Sequence, residues 1–245
     1  MSVTLQNPHS IIAAFDRRPN DVLDLRVAST AAKGAWHDVI QLAEQYRVSV
    51  CIEKPAKQSH GKSPERKFGR QGNQLATIRE KPQESLQSLF SLPKQAQKSF
   101  GVWLALDRLQ DPHNVGAIFR TAAFFGVRGI VLTKNQSAPM TNIVYDVASG
   151  GVEYVPFVFV SNLSQALINA KQRKLWVVGS SEHAENNFLD LKKDRHWLIV
   201  IGNEESGLRR LTLENCDEAC RLNSQSEIGS LNVSVAAAIM ISHLS

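Results

Sequence analysis

The chain has 245 residues and a mass of 27.1 kDa, the size of one large domain or two modest ones. Apolar residues make up 43% and charged residues 21%, which excludes global disorder, and no apolar run approaches the ~18 residues that a membrane span needs. The formal charge of +5 is gathered in residues 1–100, where 15 basic residues face 9 acidic ones, and three cysteines (Cys51, Cys216, Cys220) are too few for a disulfide scaffold and fit a reducing cytoplasm.

The opening residues, Met1 to Pro8, lack the charged and apolar regions of a secretory signal. Ser10–Arg17 reads as a short helix and Val22–Ala28 as a strand. Gly34–Tyr46 reads as an amphipathic helix with Trp36, Val39, Ile40 and Ala43 on one face. Val48–Ile52 is a β-branched strand. Residues Lys54–Gly69 are polar and rich in Gly, Pro and Lys, which predicts a loop, and Gln74–Arg79 returns as a strand. The densest basic stretch runs from Lys54 to Lys81. Such a cluster suits a polyphosphate partner through counterion release; the same pattern also fits a solvated surface loop. A small α/β domain therefore spans residues 1–78. Residues 79–99, with Pro82, Pro93 and several Gln and Ser, read as a linker with room for one helix turn.

Residues 100–245 form a second zone. Strands are expected at Val102–Leu106, Gly129–Leu132, Pro156–Val160, Leu175–Gly179 and Trp197–Ile201. Helices are expected at Val115–Phe125, Leu163–Arg173 and Ser230–Leu244. Short apolar strands alternating with helices predict a mostly parallel sheet covered on both faces.

Three segments of this zone carry chemistry. In the first, Leu106 to Ala122, a strand runs into a helix that Asp111 or Asn114 can cap, with Pro112 at its start. Val115, Ile118, Phe119 and Ala122 face the sheet, while Gly116, Arg120 and Ala123 fall on another side. A guanidinium close to the strand's carboxyl end suits a phosphate; a surface ion pair is the plainer use. In the second, Leu198 to Arg210, an apolar strand enters Gly202-Asn203-Glu204-Glu205-Ser206-Gly207, whose glycines permit tight turns and close approach of a ligand. An ordinary β-to-α turn has the same look. In the third, Gly229 to Ile241, Ser230 or Asn232 can cap a helix that is apolar nearly all round, and such a helix is expected to be buried. No G-x-G-x-x-G follows a strand, so the dinucleotide fingerprint is missing. Cys216 and Cys220 lack a second ligand pair nearby, which argues for packing over zinc. Of the seven His, only His113 lies in one of the three segments.

Taken together, Asp111-Pro-His-Asn-Val-Gly-Ala-Ile-Phe-Arg120, Ile201-Gly-Asn-Glu204-x-x-Gly-Leu and Ser230-Leu-Asn-Val-Ser-Val-Ala resemble the three motifs of the SpoU (TrmH-type) branch of the SPOUT RNA methyltransferases. They stand in the family's order over residues 100–245. The first domain is similar to the small ribosomal-protein-L30e-like domain that precedes the catalytic one in the 23S rRNA guanosine 2′-O-methyltransferase type, with Arg70-Gln-Gly72 matching a loop of that group. The resemblance implies an α/β fold: a SPOUT α/β-knot catalytic domain with a deep C-terminal trefoil knot, an exception to ordinary chain topology, behind a small L30e-like α/β domain. It implies S-adenosyl-L-methionine as methyl donor, held by Gly202, Asn203, Leu222, Ser230 and Leu231. It implies a homodimer, with one subunit's Arg120 facing the partner's donor, and structured RNA as substrate, ribosomal RNA before tRNA.

The implied reaction is methyl transfer to a ribose 2′-hydroxyl. That weak acid must shed its proton as attack proceeds, so the site must align the reacting atoms and stabilise a developing alkoxide. Arg120 is the residue expected to carry this, as an electrostatic stabiliser and phosphate grip, because a guanidinium hardly deprotonates in proteins. Asn114 is expected to orient Arg120 or the ribose, and Glu204, Ser230 and Asn232 to shape the donor and dimer site. A catalytically inactive RNA-binding or ribosome-assembly factor is the rival from another class, disfavoured by the presence of these residues. A dehydrogenase on a doubly wound sheet is disfavoured by the missing glycine fingerprint.

Overall fold

The computed structural model describes residues 1–28, 34–53, 74–91 and 100–245, which form two compact units, Met1–Glu80 and Lys81–Ser245. The loop expected over Lys54–Gly69 and the Arg70-Gln-Gly72 match lie outside the described residues.

The first unit runs β1 (Ser2–Leu5), α1 (Pro8–Arg17), β2 (Val22–Ala28), α2 (Ala35–Gln45), β3 (Ser49–Glu53) and β4 (Leu75–Arg79). Helix α1 starts at Pro8 because Asn7 accepts a hydrogen bond from the His9 amide and proline tolerates the first helical turn. The sheet order is β1-β4-β2-β3, with β4 antiparallel to both neighbours and β2 parallel to β3. Strand β1, four residues long, was not expected; it pairs Ser2 with Arg79 and Leu5 with Ala76. Leu5, Ile11, Phe15, Leu25, Val39 and Ile78 are buried.

The second unit runs α3 (Leu86–Leu89), β5 (Val102–Leu106), α4 (Pro112–Phe124), β6 (Ile130–Thr133), α5 (Asn142–Ala148), α6 (Gly151–Tyr154), β7 (Phe157–Val160), α7 (Leu163–Gln172), β8 (Trp176–Ser180), β9 (Asn186–Asn187), β10 (Trp197–Ile201), α8 (Arg210–Glu214), β11 (Glu218–Arg221) and α9 (Val233–Leu244). Its strands form a seven-stranded sheet of order β7-β6-β5-β10-β8-β11-β9, parallel at every pairing. Every residue of β5, β6 and β10 is buried, as a parallel sheet covered on both faces requires. Alternate side chains divide between the faces. Trp103, Ala105, Val131, Val158, Leu198 and Val200 join α7 and α3 in one core. On the other face the Phe119 ring of α4 meets Phe157 of β7 edge-on at 5.8 Å.

The structure adds to one expectation and corrects another. Within the expected linker, residues 81–91 do not run free: they hold the one-turn helix α3 and pack on the rest of the second unit. Lys81 Nζ donates to the carbonyls of Val152, Glu153 and Val155 at 2.7, 3.0 and 3.1 Å, satisfying carbonyls that the short α6 leaves open. Leu89 and Phe90 are buried in the core, and the Trp103 indole donates to the Leu89 carbonyl at 2.8 Å. Helix α9 is not buried all round. Val233, Ala237, Met240, Ile241 and Leu244 are covered, whereas Val235 is 48% and Ile239 37% exposed, because packing on α4 and β10 covers only one side of the cylinder. Among the described residues no helix is long and apolar enough to cross a membrane.

Candidate active site

Open parallel sheets gather ligands at the carboxyl ends of their strands. Here β5 and β10, adjacent at the centre, end side by side with Leu106 opposite Ile201. Beyond β5 comes Asp107, fully buried. A buried carboxylate must be paired, and Asp107 is: Thr212 Oγ1 donates to it at 2.9 Å, and the Arg209 guanidinium reaches both of its oxygens, at 3.2 and 2.9 Å. Helix α4 then starts on Asp111, whose Oδ1 accepts from the His113 amide at 2.9 Å. That settles which of the two capping candidates acts. Asn114 lies inside the first turn with its side chain released for other work.

That side chain joins the three motif segments. Asn114 Nδ2 donates to Glu204 Oε1 at 3.0 Å, and Asn114 Oδ1 accepts from Asn232 Nδ2 at 3.1 Å. Asn232 also caps α9, accepting from the Ser234 amide at 2.9 Å. Asn203 extends the chain, its Nδ2 3.4 Å from Glu204 Oε2 and 3.0 Å from the Arg108 carbonyl. Asn114, Asn203, Glu204 and Asn232 thus form one hydrogen-bonded series. Asn114 has its amide on Glu204 and Asn232, while Arg120 stands about two turns further along α4.

The loop after β10 folds on itself. Asn203 and Gly207 exchange backbone hydrogen bonds at 3.1 and 2.9 Å, and Gly207 adopts φ +61°, a left-handed conformation that favours glycine. A Cβ on Gly202 would lie 2.3 Å from the Gly207 carbonyl carbon, so the loop's own closure requires this glycine. The remaining candidates sit at the same end of the sheet. Leu222 follows β11 and is half-buried, while Ser230 and Leu231, just before the α9 cap, are exposed.

Arg120 is exposed on α4. Its backbone is fixed from behind. A Cβ on Gly151, at the start of α6, would fall 2.6 Å from the Phe119 carbonyl oxygen and 2.9 Å from Arg120 Cα, and one on Gly116 would fall 2.8 Å from the Val144 carbonyl oxygen. The α5–α6 pair therefore abuts the α4 turn that carries Arg120, and its tight corner uses Ser149 and Gly150 at φ +52° and +93°. Sequence reasoning gave no role to this corner, nor to Asp107, Arg209 and Thr212. The Gly150-Gly151 pair and an aspartate closing an apolar strand were the available signals.

The two cysteines of the second unit offer no nucleophile. Burial pushes the Cys216 and Cys220 thiols up to about 12, which keeps them protonated and inert at neutral pH. The imidazole of His113 is exposed at the helix start. Among the described residues no group of three or more His, Cys, Asp or Glu is placed to hold a metal ion.

Comparison with known proteins shows the family of the chain and the likeness of its fold. A family model described as the SpoU rRNA Methylase family matches residues 101–242. The chain is 32% identical to the 23S rRNA (guanosine-2′-O-)-methyltransferase RlmB of Vibrio vulnificus over 95% of this chain and 92% of that protein. It is 42% identical to the RlmB of Pseudomonas aeruginosa over 138 residues, a segment that spans 56% of that protein's length. The solved structure of the SpoU methyltransferase AviRb from Streptomyces viridochromogenes, in complex with the cofactor AdoMet, superposes with a TM-score of 0.77 at 18% identity, covering 99% of this chain and 89% of that one. At that identity the likeness speaks for the fold: an α/β architecture on a parallel sheet.

Proposed function

This chain belongs to the SpoU rRNA methylase family, and we propose that it transfers a methyl group from S-adenosyl-L-methionine to the ribose 2′-hydroxyl of a guanosine in 23S rRNA. The carrying observation is the series Asn232–Asn114–Glu204–Asn203, which ties segments 90 and 118 residues from Asn114 into one polar seam, on the same helix α4 that carries the exposed Arg120.

The donor's chemistry suits this end of the sheet. An adenine needs apolar faces and backbone partners for its edge, and Leu222, Leu231 and the backbone of Gly202 offer both. Asn203, Glu204 and Ser230 flank them. When bound, the donor supplies a methyl carbon already activated on a sulfonium. The chain's own task is then to orient the acceptor and stabilise the oxygen as its proton leaves. Arg120 does this as a permanent cation that grips the neighbouring phosphate and offsets the growing negative charge. Asn114 holds Glu204 in place, which keeps the loop after β10 in register with α4.

The exposed Val235 and Ile239 face of α9 supports a homodimer, in which the partner's Arg120 meets this chain's donor. The return of the chain from β11, near the sheet edge, to α9 packed on α4 and β10 supports the trefoil knot. The basic first unit, read as L30e-like, holds structured RNA through its backbone and shape, so affinity falls as salt rises. The few, unpaired cysteines support a cytoplasmic setting.

The test is methyl transfer from labelled donor to ribosomal RNA, followed by mapping of 2′-O-methyl marks with and without the gene. Wild-type chain should label one 23S position. Arg120→Ala should bind donor and lose nearly all labelling; normal turnover in that variant refutes the assignment. Labelling confined to tRNA would transfer the reading to a tRNA substrate.

A further inference from the structure

Arg108 has no place in the mechanism above, yet its backbone is strained and held by hydrogen bonds on both sides of the site. It follows Asp107 at the end of β5 with φ +60°. An L residue in this left-handed region is strained, and glycine or asparagine normally stands there. Strain of this kind persists only where the surroundings over-determine it, and it gathers at functional sites.

The surroundings here do over-determine it. The Arg108 amide donates to Thr133 Oγ1 at 2.9 Å, and its carbonyl accepts from Asn203 Nδ2 at 3.0 Å. Its Nε lies 3.7 Å from Asp107 Oδ1, and Nη2 donates to Ser206 Oγ at 3.4 Å. Ser206 passes the connection on: its hydroxyl donates to Asn203 Oδ1 at 3.1 Å, and its amide donates to the same oxygen at 3.1 Å. The bonds close a ring, from the Arg108 guanidinium to Ser206, from Ser206 to Asn203, and from Asn203 back to the Arg108 carbonyl. Glu204 stands inside the turn that this ring holds.

We propose that Arg108 is a positioning residue that latches the 203–207 turn through Ser206, holding Glu204 against Asn114 and pre-setting the donor-binding loop. The proposal rests on the reading of this loop as the donor site. Arginine suits the task because only a long side chain can curl back from residue 108 to the far side of the turn while its Nε stays beside the buried carboxylate. The left-handed backbone gives the side chain its direction of departure. Stability is given up at one residue so that the loop is ordered before the donor arrives, which lessens the ordering cost of binding.

The latch separates stability from affinity, and that separation is what an experiment reads. In the full chain, Arg108→Asn relieves the left-handed strain while Asp107 keeps Arg209 and Thr212. Its urea midpoint should be no lower than wild type. Isothermal titration with S-adenosyl-L-methionine should find donor binding weakened roughly tenfold, the scale of one charge-assisted hydrogen bond. Ser206→Ala should weaken donor binding by a similar factor with little change in midpoint. The double variant should be no weaker than the weaker single one, because both remove the same connection. Wild-type donor affinity in Arg108→Asn, a lower midpoint with unchanged affinity, or strictly additive losses would each overturn the latch. A wild-type chain that fails to bind the donor overturns the latch together with the donor-site reading. A wild-type chain that binds donor without methylating RNA, and whose variants behave as described, leaves the latch standing and removes only the substrate assignment.

Discussion

The two ends of the seven-stranded sheet start from the same kind of short apolar strand but close in opposite ways. At the amino ends of β5 and β10 the closing groups satisfy one another. His196 Nδ1 accepts from the Gly101 amide at 3.0 Å, and its ring meets those of Phe100 and Trp103 at 5.5 and 5.8 Å. Arg195 lies over Trp176 and Trp197 at 4.9 and 5.6 Å. At the carboxyl ends the groups are tied to one another and still present charge outward: Arg209 is held by buried Asp107 yet remains half exposed. The amino end is a scaffold of rings and stems, whereas the carboxyl end is a set of polar groups aimed before any ligand arrives. Such preorganisation is what electrostatic catalysis requires, and the parallel sheet separates it from the packing that keeps the unit folded.

The comparison breaks most sharply at Arg120. Arg120→Ala should lower the methylation rate by about 10²–10³-fold, the usual effect of removing one preorganised charge, with no change in melting temperature, since the side chain is exposed. A matching fall in melting temperature would show that the carboxyl end also carries the fold. Gly151→Ala should come next. Its new methyl would press on the Phe119 carbonyl oxygen and the Arg120 backbone, so α4 or α6 must shift. A displacement near 1 Å costs about 10²-fold in rate, and overpacking costs about 1–3 kcal/mol of stability. Rate should fall further than the loss of folded protein explains, with donor affinity retained, as titration and single-turnover kinetics would separate.

The sheet was legible in the sequence where its physics is local. Val102–Leu106 and Trp197–Ile201 are uninterrupted apolar runs, and the structure gives them the same bounds. Asp111-Pro112 announces the start of α4 through capping chemistry. The misses have equally local causes. Strand β11, Glu218-Ala-Cys-Arg, is half polar, and β9 is two residues long; each is a strand only because a neighbour offers an edge. Helix α6 has four residues and is held by Lys81 from far along the chain. The three motif segments could be found one by one, but that Asn114 turns from helix capping to join Glu204 and Asn232 depends on which strands are neighbours, and residue spacing does not carry that. Nor could it tell which side of α9 stays uncovered, since apolar residues occupy nearly all of it.

At the amino end the effects should fall on stability and leave turnover alone. Trp103→Phe keeps most of the apolar volume but removes the indole that donates to the Leu89 carbonyl. A lost buried hydrogen bond together with a small cavity amounts to about 1–3 kcal/mol. Urea unfolding should report it, while the methylation rate at low temperature matches wild type. An altered rate would mean that the two ends communicate through the strand.

The smallest effect belongs to His196. Burial, aided by the positive charge of Arg128, holds its imidazole below the ordinary histidine value of 6.5. The folded state therefore binds this proton less readily than the unfolded state. Stability from this site is complete above the ordinary value and is lost as pH falls through it towards the lowered one. Between pH 7.5 and 5.5 the urea midpoint of the wild type should decline, and that of His196→Gln should decline less, since glutamine keeps a polar partner for the Gly101 amide without a titrating proton. Equal slopes in the two proteins would show that the imidazole charges freely where it stands, and the amino end would lose its character as a ring-packed scaffold that excludes a proton at His196.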